Sequence, residues 1–163
     1  MLTRKIVKPR EVDRRILAER LVDCRKPLRK IASAVGVSRQ TVAKRVRELH
    51  RSGLIKRFTV RLNHKDLGLN LKAYILMRIE PKREVRENLE KKIKEIRQVS
   101  YFHYLFGRYD ALAEVLVKDS EELTRLLREI HGLKGVKETE TLIVEYTVKD
   151  SPESPILKIL MES

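Results

Sequence analysis

At 163 residues, with a net charge of +14 and 42% hydrophobic residues, the chain is long enough for one ordinary domain or two small ones, and apolar enough for packed cores. The single cysteine, Cys24, excludes an internal disulfide and a cysteine-rich zinc site, and the four histidines (His50, His64, His103, His131) have no ligand spacing. No apolar run reaches membrane-span length and the first residues lack the apolar core of a signal peptide, so the expectation is a soluble cytoplasmic protein with no membrane partner, metal or cofactor.

The charge is unevenly divided. Residues 1–66 carry 20 Lys/Arg against 6 Asp/Glu, whereas residues 67–163 carry 17 of each, so the whole net charge belongs to the first segment. That asymmetry predicts a polyanion-binding module joined to a neutral one. Membrane-surface binding fits less well, because the basic helices carry no aromatic-rich insertion face. A charged fraction of 37% with only two glutamines leans towards a thermophilic source.

In chain order, apolar Val12, Ile16, Leu17 and Leu21 fall at helical spacing between Glu11 and Cys24. Pro27 suits the first turn of a second helix, which places Leu28, Ile31, Ala32 and Val35 on one face. Gly36 is free to take the positive φ of a tight interhelical turn. Ser38 is a good N-cap for a third helix running to about Ser52, stopped by Gly53. Two helices joined by a short glycine-containing turn make a helix-turn-helix. Val42, Val46 and Leu49 form the buried stripe of the third helix, and the opposite face holds Gln40, Lys44, Arg47 and Arg51. Its N-terminal residues Arg39, Gln40, Thr41 and Lys44, beside Ser38, are candidates for base edges, since Arg grips guanine and Gln adenine in bidentate fashion. Arg47, Arg51, and the N-terminal Arg4, Lys5, Lys8 and Arg10 are candidates for phosphates, and Arg45 flanks the buried stripe as a further DNA contact.

The residues Asp13-Arg14-Arg15-Ile16-Leu17, Ile31-Ala32, Gly36-Val37-Ser38, Thr41-Val42, Arg45-Val46, Leu49 and Gly53-Leu54-Ile55 resemble the Lrp/AsnC family of leucine-responsive, or feast/famine, transcription regulators. The resemblance runs on through residue 148 and implies a source among archaea or thermophiles.

After Gly53, Phe58, Val60 and Leu62 alternate with Arg57, Thr59 and Arg61, as in a half-buried strand. The pattern itself fits either a wing against DNA or a linker strand; the resemblance implies a hinge strand that pairs with its counterpart in a dimer. Beyond Gly68 the order is strand (72–80), helix on Val85, Leu89, Ile93 and Ile96, strand (99–106), strand (111–117), helix on Leu123, Leu126, Leu127 and Ile130, and strand (136–148). Asp119 and Glu122 form a capping box for the second of these helices. This βαββαβ order is ferredoxin-like. The fold class is therefore α+β, with a (winged) helix-turn-helix over 1–53, a hinge strand or linker over 54–67, a ferredoxin-like oligomerisation and effector-binding domain over 68–150, and a tail over 151–163.

Two helices cover only one face of a four-stranded sheet, yet Tyr101-Phe102-His103-Tyr104-Leu105-Phe106 is apolar or aromatic on both sides. The open face therefore needs a partner, and a two-fold copy of the same chain is the simplest one. A homodimer, or a tetramer or octamer built from it, would present two reading helices to a palindromic site. His103 fits a packed position better than a catalytic one. The short apolar run Ile156–Met161 is expected to dock on the sheet domain or on a neighbouring subunit.

In the resembled family small effectors, usually amino acids, bind where regulatory domains of separate dimers meet. The resemblance places that site at Gly107, Tyr109 and Asp110, with Thr139 and Thr141; Asp110 suits an ammonium group, and Arg108 departs from the acidic residue common at this turn. An architectural DNA-binding protein of low specificity shares every charge feature. Sirohaem decarboxylases also look like members of this family, but they need His and Arg facing a tetrapyrrole cavity. Only His103 and Arg108 lie near such a position, so the expectation is a regulator and not an enzyme.

Overall fold

The computed structural model describes residues 9–162. The chain divides into two units, one formed by residues up to 61 together with those from 149 onward, the other by residues 62–148.

In the first unit, α1 (Glu11–Val22), α2 (Leu28–Val35) and α3 (Arg39–Arg51) close on a core of Ile16, Ile31, Ala32, Val35 and Val42. The periodicity of the sequence accounts for this, because each residue falls at a position where its helix turns inward. Gly36 ends α2 at φ +80°, and its N–H bonds to the Ala32 carbonyl, giving the left-handed cap that the tight turn requires. Ser38 then caps α3, its hydroxyl accepting from the Thr41 N–H at 3.1 Å. The tail is also helical, as α6 (Ser154–Met161), and it lies against α1. Within the chain it therefore docks on the helix-turn-helix unit and not on the sheet domain. An Arg14 guanidinium N–H donates to the Ile159 carbonyl near the C-terminal end of α6 and fixes the contact.

In the second unit, β1 (Leu71–Ile79), β2 (Val99–Tyr104), β3 (Ala111–Val117) and β4 (Val136–Ile143) form one antiparallel sheet in the order β2-β3-β1-β4. α4 (Arg83–Glu95) and α5 (Ser120–His131) cover a single face. Alternation decides which: Ala73, Ile75, Met77 and Ile79 of β1 and Ala111, Ala113, Val115 and Val117 of β3 are buried with Leu89, Ile93, Leu123, Leu126 and Ile130. Asp119 caps α5 through the Glu122 N–H at 2.8 Å. The Glu122 carboxylate reaches one residue further back than a capping box requires, accepting from the Lys118 N–H and from the Gln98 amide, which hold its pKa below the usual carboxylate value.

The alternating stretch 56–62 belongs to no ladder in this single chain, and neither does a wing hairpin form there among the described residues. Phe58, Val60 and Leu62 are all exposed. Among the described residues no strand of this chain pairs with it, so a pairing strand would have to come from a second chain. β2 and β4 also stop earlier than the apolar pattern suggests, at Tyr104 and Ile143.

Candidate nucleic-acid interface and effector site

The polar outer face of α3 forms as its angular pattern requires. Gln40, Lys44, Arg47 and Arg51 lie at i, i+4, i+7 and i+11 and are exposed, as are Ser38 and Arg39. Thr41 is half-buried at the edge, its hydroxyl 2.9 Å from that of Ser38. The free N–H groups of the first turn add a positive end to the same face, suited to a phosphate. Arg10 is exposed before α1; Arg4, Lys5 and Lys8 lie outside the described residues.

Arg45 does not share this face. Its guanidinium turns inward, with Nε 2.6 Å from Asp13 Oδ1, a second N–H on Asp13 Oδ2, and Nη1 2.6 Å from Glu48 Oε2. Asp13 is only 2% exposed and also accepts the Arg10 N–H at 3.1 Å. The Arg45 hydrogen bonds hold the Asp13 carboxyl below the usual carboxylate range, outweighing the opposing effect of burial, and Asp13 in turn raises Arg45. Arg45 therefore ties α3 to α1, and its guanidinium is committed within the fold instead of joining the exposed row.

Other basic residues of the first unit are spent in the same way. Arg15 donates to the Ala34 carbonyl at 2.7 Å, and Arg20 to the carbonyls of Cys24 at 2.6 Å and Lys26 at 3.1 Å. With Arg14 on α6, three arginines of α1 serve loop and helix ends within the fold. A count of charges could not have separated them from the residues that face outward. The spacing i, i+4, i+7 on α3 is the signal that does.

The open face of the sheet follows from the register. Tyr74, Leu76 and Leu142 lie on it with Leu112, Leu116, Tyr101 and His103. Tyr101 and Leu142 are exposed, His103 stacks on Tyr101, and a Lys72–Glu114 ion pair at 3.2 Å sits among them. Phe102 and Tyr104 point to the helix side, where Tyr104 meets the Arg86 guanidinium and burial raises its phenol pKa. The aromatic run of β2 thus divides between the two faces.

The five residues suggested for an effector do not converge in one chain. The Tyr109 hydroxyl binds the Glu140 carboxylate, which raises its pKa. Thr139 and Thr141 pair with Met77 and Ile75, on the helix-covered side, and the Thr139 hydroxyl meets His131 Nε2. Gly107, at φ +152°, has open space where a side chain would project. Asp110 is partly committed: its Oδ2 accepts the Ile79 N–H at 2.9 Å and its N–H donates to the Met77 carbonyl. Asp110 does line an open cavity of about 490 Å³ together with Arg78, Ile79, Pro81, Lys137 and Glu138. Two cations and two carboxylates around an apolar patch match the charges of a zwitterion. Of this lining, Asp110 is expected from sequence and Lys137 and Glu138 belong to the same 135–141 stretch as Thr139 and Thr141, whereas Arg78 reads in sequence as an ordinary outward strand residue.

Among the described residues no cluster of His, Cys, Asp and Glu could hold a metal ion, and no helix is long and apolar enough to cross a membrane.

Residues 11–50 match the model of the AsnC-type helix-turn-helix domain, and residues 72–154 that of the Lrp/AsnC ligand binding domain. The chain is 36% identical over 148 residues to the HTH-type transcriptional regulator FL11 of Pyrococcus abyssi, covering 90% of this chain and 95% of that protein. It is 35% identical over 150 residues to the protein of the same name from Pyrococcus horikoshii, with the same coverage. Among solved structures, the transcriptional regulator NMB0573 from Neisseria meningitidis in complex with L-Met superposes with a TM-score of 0.84 at 19% identity, over 91% of this chain and 99% of that one. AsnC of E. coli superposes with a TM-score of 0.81 at 23% identity, over 88% and 97%.

Proposed function

Since this chain belongs to the Lrp/AsnC family, we propose that it is a cytoplasmic, sequence-specific DNA-binding transcription regulator that acts as a homodimer or a larger assembly of dimers. The observation that carries this is the exposed row Gln40, Lys44, Arg47 and Arg51 on a capped helix whose inner side is fixed by Arg45 and Asp13. A recognition helix must be both chemically equipped and rigidly held, and this one is both. Two copies joined through the open sheet face would carry two such helices. His103 is stacked on Tyr101 and Arg108 lies over Tyr109, placements that suit packing better than tetrapyrrole chemistry.

Gln40→Ala or Lys44→Ala should change sequence preference as well as affinity, with about 1–3 kcal/mol lost at the base each one reads. Arg51→Ala should weaken all sequences alike and lower the salt slope by about one unit. Selection of bound sites from a random DNA pool, followed by titration at several salt concentrations, checks both. Equal loss on every sequence for all three variants would support an architectural, low-specificity protein instead.

The same reading extends to an amino-acid effector held by Asp110 and the cavity charges, and completed by Gly107 or Tyr109 of a neighbouring copy. Two structural relatives are complexes with L-Met or L-methionine, which favours a ligand of that class. At a hundred times its dissociation constant, such a ligand should stabilise the protein by about 2.7 kcal/mol. A thermal-shift screen of the amino acids measures it, and no shift with any of them at millimolar concentration would leave the sheet domain a ligand-free scaffold.

A further inference from the structure

The cavity beside Asp110 lies where β1 and β4 fall out of step. The two strands pair residue for residue from Ala73 with Ile143 to Arg78 with Glu138, but the partner of Ile79 is Val136. Lys137 is therefore the extra residue of a β-bulge, with no opposite number on β1, and it lines the cavity. The bulge is pinned at its start. The Glu80 N–H donates to the Gly135 carbonyl at 2.8 Å, and Gly135, at φ +97°, has no room for a side chain beside Val85. A strand residue left out of the ladder in this way has its side chain re-aimed, here into the cavity wall.

Charge gives that side chain something to hold. Among the described residues, three carboxylates around the cavity each face another cation. Glu138 lies 3.9 Å from Arg78, Asp110 Oδ1 4.0 Å from Arg86, and Glu80 Oε1 2.7 Å from Lys82. The Lys82 hydrogen bond, with the charges of Lys82, Lys137 and Lys134, holds the Glu80 carboxyl below the usual carboxylate range. Lys134 and Lys137 thus stand beyond the three pairs as two cations in excess. A neutral zwitterion leaves both uncompensated, whereas a ligand with a second carboxylate neutralises one of them. The volume of about 490 Å³ admits a molecule of that size.

We propose that the effector is an amino acid with an acidic side chain, and that Lys137, presented by the bulge, anchors its side-chain carboxylate. Asp110 Oδ1 takes the ammonium and Arg78 the α-carboxylate. This rests on the effector reading above and narrows it to aspartate, glutamate and ligands of their charge.

The test is calorimetric titration of the full-length protein with L-glutamate and L-glutamine, and with L-aspartate and L-asparagine, at one pH and ionic strength. Each pair has nearly one shape and differs in charge. At least one acid is expected to bind about ten-fold or more tightly than its amide. Lys137→Gln should cut that difference to below about three-fold while the amide binds as before. Lys137 is exposed, and an unchanged melting temperature of the ligand-free variant shows that it folds. An acid and amide bound equally by the wild type overturn the proposal and leave the amino-acid reading standing. Tighter binding of L-methionine or L-lysine than of either acid does the same. An acid preference that survives Lys137→Gln overturns the role of Lys137. Binding of no amino acid at all overturns the proposal together with the effector reading beneath it.

Discussion

Asp13→Ala should destabilise the DNA-binding unit by about 2–4 kcal/mol, because it leaves the Arg45 guanidinium, 22% exposed, with Glu48 as its one remaining carboxylate and removes the acceptor of the Arg10 N–H. Urea denaturation followed by helical ellipticity measures this, and a loss below about 1 kcal/mol would mean that water replaces Asp13 adequately. The pH dependence follows the same pair. Asp13 is held below its ordinary pKa in the folded protein, so its contribution is complete above the unfolded value and is lost as pH falls through the folded one. Acid should therefore loosen the wild-type unit below about pH 4, and Asp13→Ala should lack that component. DNA affinity should fall with stability, since α3 loses the bond that sets its angle on α1.

If two copies join through the open sheet face as proposed, Leu76→Arg should leave monomers at micromolar concentration, with a dissociation constant raised about a hundred-fold or more. Leu76 lies in the middle of β1, opposite Leu112 and Glu140, on the open face of the sheet. A guanidinium there would lose its water on dimerisation, and its two-fold copy would be brought against the same surface. The monomer should still fold, because the helix-covered core is untouched. Its affinity for a palindromic site should fall by two to four powers of ten, the gain normally supplied by linking two half-site contacts. Light scattering and titration of whole and half sites report the two effects separately. A variant that remains dimeric would place the dimer contact elsewhere than on this face.

The local elements were largely legible in the sequence because each depends on near neighbours. Gly36, Ser38 and Asp119 announce a turn and two caps through their own conformational chemistry, and the period-2 rows of β1 and β3 announce the covered face. What was not legible depends on distant approach. A helical wheel gives the angle of Arg45 on its own helix, but not that Asp13, thirty-two positions earlier, waits beneath it. Thr139 and Thr141 look like available hydroxyls until the register with Met77 and Ile75 puts them on the helix side. The zwitterion-matched cavity gathers Arg78, Asp110 and Glu138 from three separate stretches, with no spacing to announce it. The destination of the tail is the extreme case, as its hydrogen bond to Arg14 spans 145 positions.

That last contact bears on how the protein is made. The DNA-binding unit is assembled from both ends of the chain, so α1, α2 and α3 leave the ribosome well before the helix that completes their unit. The sheet domain is built from residues 62–148 alone and can fold without waiting for α6 to dock. Closing the circuit from α6 to α1 then links residues far apart in sequence, a slow kind of contact whose loop-closure entropy the already folded middle reduces. A released chain shortened before residue 154 would keep every strand of the sheet and lose the helix that packs on α1. The DNA-binding unit would be fully packed only with α6 in place.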